Sequence, residues 1–148
     1  MTIKKVSFKN QYGMKVVGNL FSPKDSKPKT KSPAIVVGHP MGAEKEHSSK
    51  LYAAKLAEQR FVTLAIDLSF WGESEGKPAH RVSPEGYSDD FSAPVDFLST
   101  QASIKKERIG VRGICGSVVS LWALQKLTPL WKAMSTLGRR IDFKLKSK

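Results

Sequence analysis

An α/β architecture is predicted for this 148-residue chain: parallel strands with flanking helices, led by an antiparallel hairpin. Three observations carry that expectation. Short, mostly apolar runs, of the kind found in strands covered on both faces, occur at 33–38, 61–66 and 108–114. Segments with helical spacing of apolar residues separate them. Two partly alternating runs, joined by a turn signal, precede them.

The hairpin comes first. Ile3 to Lys9 reads as a short edge strand punctuated by charge, Asn10-Gln11-Tyr12-Gly13 as a turn, and Met14 to Phe21 as the returning strand. Residues 22–32 are rich in Pro, Lys and Ser and read as a solvent loop. Pro33-Ala34-Ile35-Val36-Val37-Gly38 is the first buried strand. A helix is expected over 44–60, with Leu51, Ala54 and Leu56 sharing the inward stripe and Lys50, Lys55 and Glu58 nearer water. Phe61 to Ile66 is the second buried strand, ending at Asp67. After a loop bearing Gly, Pro and Ser, the spacing of Tyr87, Phe91, Val95 and Leu98 predicts a helix over 87–100. Pro94 lies inside it and is expected to kink it or to cost about 3 kcal/mol. Arg108 to Ile114 is the third buried strand. The alternation implies right-handed crossovers and a parallel sheet.

Composition narrows the function classes. Apolar residues make up 40% and charged residues 26%, which is globular rather than disordered usage. No apolar run approaches the roughly 18–20 residues of a membrane span. The N-terminus has no secretory h-region, and the single cysteine, Cys115, excludes an internal disulfide framework and a Cys-rich zinc site, so the expected location is the cytoplasm. The net charge is +12. Residues 1–115 hold 18 basic and 12 acidic side chains, whereas 116–148 hold 7 basic ones and only Asp142, so half of the excess sits in the last fifth. No zinc-finger, RNP or helix-turn-helix pattern accompanies it; the basic segment reads as solvated tail rather than a nucleic-acid grip.

In open α/β sheets, ligands bind beyond the carboxyl ends of the strands. Here those ends carry Gly38-His39-Pro40-Met41-Gly42, then Asp67 running on to Gly72-Glu73-Ser74, and Gly113-Ile114-Cys115-Gly116-Ser117. A nucleophile between a strand and a helix, flanked by small residues, can occupy a sharp turn near a helix N-terminus, which also favours thiolate over thiol. Cys115 fits that position. The backbone N–H of Gly116 and one from the 38–42 loop, best that of Met41, would form an oxyanion hole. The plainer reading of Cys115 is a small buried hydrophobe.

Several strings together resemble the dienelactone-hydrolase-like members of the α/β-hydrolase superfamily: Pro33 to Gly42, Leu51 to Glu58, Gly72-Glu73-Ser74-Glu75-Gly76, Asp90-Phe91-Ser92-Ala93 and Glu107 to Val111. The resemblance runs from about Ile3 to Ser117. It implies an α/β-hydrolase fold, here an incomplete sheet, and cleavage of ester, lactone or other acyl bonds in a small substrate without cofactor or metal. It implies Cys115 as nucleophile and Gly116 and Met41 as oxyanion donors. His39 then belongs to the oxyanion loop with Gly38, Pro40 and Gly42, and is not the base.

The resemblance also marks what is missing. In that family an acid and a late His follow the nucleophile. No His follows Cys115; His39, His47 and His80 all precede it, and Asp142 is the one downstream acid. The expected organisation is a partial hydrolase domain over 1–117 and an atypical basic tail over 118–148, with little or no turnover from the chain alone. A helix packing behind a nucleophile turn usually starts with small residues, whereas Val118, Val119, Leu121 and Trp122 follow here. A one-base frameshift near Ser117 would account for both features. With suitable codons, 118–129 read one base earlier gives Gly-Gly-Phe-Ala-Leu-Gly-Ala-Ala-Lys-Thr-Asp-Pro. On that view Trp122 and Trp131 are residues of a shifted frame rather than an amphipathic helix with Leu124 and Leu127.

The remaining candidates read more plainly. Asp67 is expected to fix a loop rather than act as a catalytic acid. Glu73, Glu75, Asp89 and Asp90 match no metal-binding spacing and read as a solvated face. Trp71 either lines a substrate pocket or packs under its loop. A sheet ending at the Cys115 strand would leave an open edge for self-association. The alternative to a hydrolase is therefore a basic binding module or a non-catalytic fragment that pairs through this edge or the tail.

Overall fold

The computed structural model describes residues 1–24, 31–40, 44–46, 48–81, 84–114 and 134–137. The strands are β1 (Thr2–Lys9), β2 (Lys15–Ser22), β3 (Ser32–Gly38), β4 (Val62–Ile66), β5 (Ile104–Ile114) and β6 (Met134–Leu137). Helix α1 (Ser48–Glu58) joins β3 to β4, and α2 (Pro84–Ser99) joins β4 to β5. The strands form one mixed sheet in the order β1-β2-β4-β3-β5-β6. The hairpin and the β2–β4 pair are antiparallel; β3 pairs in parallel with both β4 and β5.

Alternation along the strands builds two cores. On one face Val36, Leu64, Ile66 and Val111 meet Phe91 and Leu98 of α2. On the other, Phe21, Val37, Ala65 and Ile114 meet Ala53 and Ala57 of α1. Every residue of β4 is buried, as its mostly apolar run requires. Among the described residues no helix is long and apolar enough to cross a membrane.

Three expectations are corrected. Helix α1 packs Ala54 and Leu56 on the core as expected, but its most buried positions are Ser49, Ala53 and Ala57, and Leu51 is 62% exposed. Small residues spaced by four let this helix lie close against the sheet, and Thr63 Oγ1 donates to the Ala53 carbonyl at 2.8 Å. Helix α2 holds Pro94 inside its span, as expected. Strand β5 starts four residues early, at Ile104, which pairs with Ser32; the register then shifts, so that Ala34 faces Ile109 while residues 105–108 stay exposed. Finally, the sheet does not end at β5, because β6 adds in parallel along Val111–Ile114.

Candidate active site

The parallel register of β3 with its neighbours brings three loops to one edge of the sheet. Gly38 lies opposite Ile66, and Val37 opposite Arg112, so Gly38 and Ile114 both finish at that edge. Of the residues expected to act there, Met41, Gly42, Cys115 and Gly116 lie outside the described residues. Gly38, His39, Pro40 and Trp71 are described, and they sit together with the loop that follows β4.

His39 is fully buried. Its Nδ1 lies 2.7 Å from the Pro40 carbonyl, and its Nε2 accepts the Leu68 N–H at 3.0 Å. That pattern makes Nδ1 the protonated nitrogen and leaves the ring neutral, with both nitrogens committed. His39 is thus a brace between the β3 and β4 loops. Trp71 meets it edge-on, with centroids 6.3 Å apart, and stacks at a tilt on His80 at 4.9 Å. Trp71 is half-buried and packs on the α2-side core, so it lies under its loop and also lends a face to this edge.

The β4 loop is organised by a carboxylate. Asp67 is fully buried. Its Oδ1 accepts the Lys45 backbone N–H at 2.7 Å, and its Oδ2 accepts the Lys45 ammonium at 2.7 Å and the Glu73 N–H at 3.0 Å. Its carbonyl accepts the Ser74 hydroxyl at 2.7 Å, and its own N–H donates to Val17. Gly72 has φ +53°, and a Cβ there would collide with the Asp67 carboxyl group. Ser74 and Glu75 then pin the loop to β2 by accepting the Val17 and Lys15 N–H groups. The expectation that Asp67 fixes a loop therefore holds, and it reaches further, since one side chain ties the segment after β3 to the segment after β4.

Lys45 is nearly as buried as its partner, at 2% exposure. Burial works to lower its pKa, but the hydrogen bond and charge of Asp67, joined by Glu73 and Glu46, outweigh that and leave the pKa raised. Glu73 is held below the usual carboxylate range, first by its bond to Lys5 at 2.6 Å. Glu46 is lowered too, by hydrogen bonds from Lys50 and Asn19.

Asp90 corrects a sequence expectation. It does not belong to a solvated face but is fully buried, accepting the Ser69 N–H and hydroxyl at 2.6 Å each and the Asn10 amide at 3.0 Å. Asn10 in turn accepts the Tyr12 and Met14 N–H groups, closing the hairpin turn. Glu73 and Glu75 are exposed, as expected, and among the described residues no group of three or more His, Cys, Asp or Glu is placed to hold a metal. Sequence reasoning missed Lys45, because a lysine beside a Gly-Ala-Glu stretch carries no local sign of burial. It missed Asp90 because its partners are distant in the chain.

Comparison with known proteins bears on the fold. No protein-family model matches the chain. It is 50% identical over 113 residues to the uncharacterized protein PA2218 of Pseudomonas aeruginosa, covering 76% of this chain and 30% of that one. It is 32% identical over 116 residues to the thiohydrolase aneE of Aspergillus aculeatus, covering 78% of this chain and 35% of that one. The crystal structure of PA2218 superposes with a TM-score of 0.87 at 44% identity, over 91% of this chain and 42% of that one. The α/β hydrolase GrgF from a Penicillium superposes with a TM-score of 0.84 at 17% identity, over 92% and 45%. The chain carries part of the α/β-hydrolase fold and spans about a third of the length of these curated relatives.

Proposed function

We propose that these residues form the nucleophile-and-oxyanion part of a hydrolase acting on a small ester, lactone or thioester, of the dienelactone-hydrolase-like type. Cys115 is the nucleophile, and the Gly116 and Met41 N–H groups stabilise the oxyanion. The observation that carries this reading is the parallel pairing of β3 with β5, which ends Gly38 and Ile114 at one sheet edge beside a braced His39. Cys115 and Met41 follow those strand ends within three residues. The thiohydrolase relative supports thioester or ester chemistry. Trp71 would form one wall of the pocket.

In this reading the Cys115 thiolate attacks the substrate carbonyl carbon and the leaving group departs. Hydrolysis of the acyl-enzyme then needs a base to activate water. Both nitrogens of His39 are engaged, and no His follows Cys115 within these 148 residues, so the chain alone acylates without turning over.

The test is p-nitrophenyl acetate hydrolysis by the chain and by Cys115→Ala. A burst of about one equivalent of p-nitrophenolate per chain is expected, absent in the variant and followed by no steady state above background. Saturable multiple turnover that Cys115→Ala abolishes would show that a base is present in the chain. The same modest release from both proteins would remove Cys115 from its role.

A further inference from the structure

Three buried side-chain atoms among the described residues make no hydrogen bond: Ser48 Oγ, Ser49 Oγ and Arg112 Nε. A buried polar atom without a partner is costly, and several gathered in one place point to a group the chain itself does not supply. Ser48 and Ser49 open α1, and Arg112 lies on β5. Helix α1 links two parallel strands and so runs against them. Its carbonyl at Ala53 is tied to Thr63 of β4. Ser49 lies about 6 Å nearer the helix start. That is about two strand residues, which brings it level with Ala65. Ala65 faces Val37, and Val37 faces Arg112, so Ser49 and Arg112 share one row across the sheet. Arg112 reaches back to the helix: its guanidinium carbon sits 4.5 Å from the centre of the Tyr52 ring. Ser48 is one turn before Tyr52 on the same flank.

We propose that the start of α1, with Ser48, Ser49 and Arg112, is a binding site for a phosphate-type oxyanion. It does not depend on the hydrolase reading above. Stacking on Tyr52 orients the guanidinium without using its N–H donors, and no described carboxylate pairs with it. Side chains of a first turn lean toward the helix start, so both serine hydroxyls stand beside the free N–H groups there. That turn holds no acid, and Glu46, just ahead of it, is bound to Asn19 and Lys50 instead. The set is rich in donors and positive in field, which suits an anion with several acceptor oxygens and repels a cation. A water could meet the hydroxyls but would bring no counter-charge to the guanidinium. Ser49 is fully buried while Ser48 and Arg112 are half-buried, so the approach lies on the β5 side.

The test titrates the full chain with inorganic phosphate and follows the phosphorus NMR line width, with ionic strength held constant by sodium chloride. The proteins are wild type, Ser49→Ala, Arg112→Met, Arg112→Lys and Arg108→Gln, each checked for folding by circular dichroism. Saturable binding is expected in wild type. Ser49→Ala and Arg112→Met should each weaken it about tenfold, the worth of one hydrogen bond to a charged group. Arg112→Lys should recover part of the loss, since it keeps the charge and loses the fork. Arg108→Gln removes the same charge from an exposed position of the same strand and should bind as wild type does.

Without phosphate, the urea midpoint of Ser49→Ala should not fall, because the substitution deletes a hydroxyl that has no partner. Its weaker binding then reports the site and not the fold, and it decides the matter even if Arg112→Met fails to fold. Three results overturn the proposal. Wild type shows no saturable response to phosphate. Arg108→Gln loses as much as Arg112→Met, which would mark a general attraction to a basic chain. Ser49→Ala binds as wild type does, which would leave that hydroxyl to water.

Discussion

Two fully buried aspartates hold this fold's loops, and they do so in opposite ways. Asp67 is matched by a buried cation, Lys45, and joins the two segments at the candidate site. Among the described residues, Asp90 is held by the neutral donors of Ser69 and Asn10, and joins α2 to the β4 loop and the hairpin turn. A charge in the interior is tolerable either when an opposite charge sits beside it or when enough hydrogen bonds surround it. The first solution is strong at one point and fixes an orientation. The second spreads the load over several donors and three chain segments. The comparison teaches that the candidate active edge is clamped by charge, whereas the scaffold behind it is stitched by dipoles.

The largest effect should come from breaking the charged clamp on one side. Asp67→Ala leaves the Lys45 ammonium buried without its partner and should cost about 3–5 kcal/mol, read from the urea midpoint. Asp67→Leu/Lys45→Met should recover most of that, because neither charge then remains buried. If the double variant is as unstable as Asp67→Ala, the clamp's stability comes from backbone hydrogen bonds rather than charge.

Asp90→Ala should cost less, about 1–3 kcal/mol, since the donors it strands are neutral. Hydrogen exchange of the Tyr12 and Met14 amides should rise with it, because Asn10 would lose the anchor that holds its acceptor oxygen over them. A cost equal to that of Asp67→Ala would erase the distinction between the two aspartates.

The pH dependence should separate them again. Lys45 has a raised pKa in the folded chain, so its contribution is complete below the ordinary lysine pKa and is lost as pH climbs past that value and through the folded one. Wild type should therefore lose stability over that alkaline window, and the double variant should lose less of it, in urea midpoints measured at successive pH values. The smallest effect belongs to the surface. Lys5 and Glu73 form a solvent-exposed pair, and Lys5→Gln should leave the midpoint unchanged within error at moderate salt.

Much of the framework was legible from periodicity. The β4 run Val62–Ile66 is apolar but for Thr63 because both faces are covered, and the Phe91/Leu98 spacing marked the buried side of α2. Other features were hidden for stateable reasons. The α1 stripe was misjudged because Leu51 outweighs Ala53 and Ala57 in hydrophobicity, while the sheet selects the small residues for close approach. The start of β5 was masked by Lys105-Lys106-Glu107-Arg108, which stay exposed where its register with β3 shifts. The site was half legible: His39 lies in the loop after β3 where the sequence put it, but its bond to Leu68 spans 29 residues and no local pattern encodes it.

The order of apolar runs and helical stripes by itself determined an α/β sheet led by a hairpin, because burial of a strand or a helix face is written in its own spacing. Which carboxylates went inside, and what met them there, was decided only by tertiary structure. Asp67 finds Lys45 22 residues away and Asp90 finds Asn10 80 residues away, and a buried charge is admitted only once folding has delivered its partner.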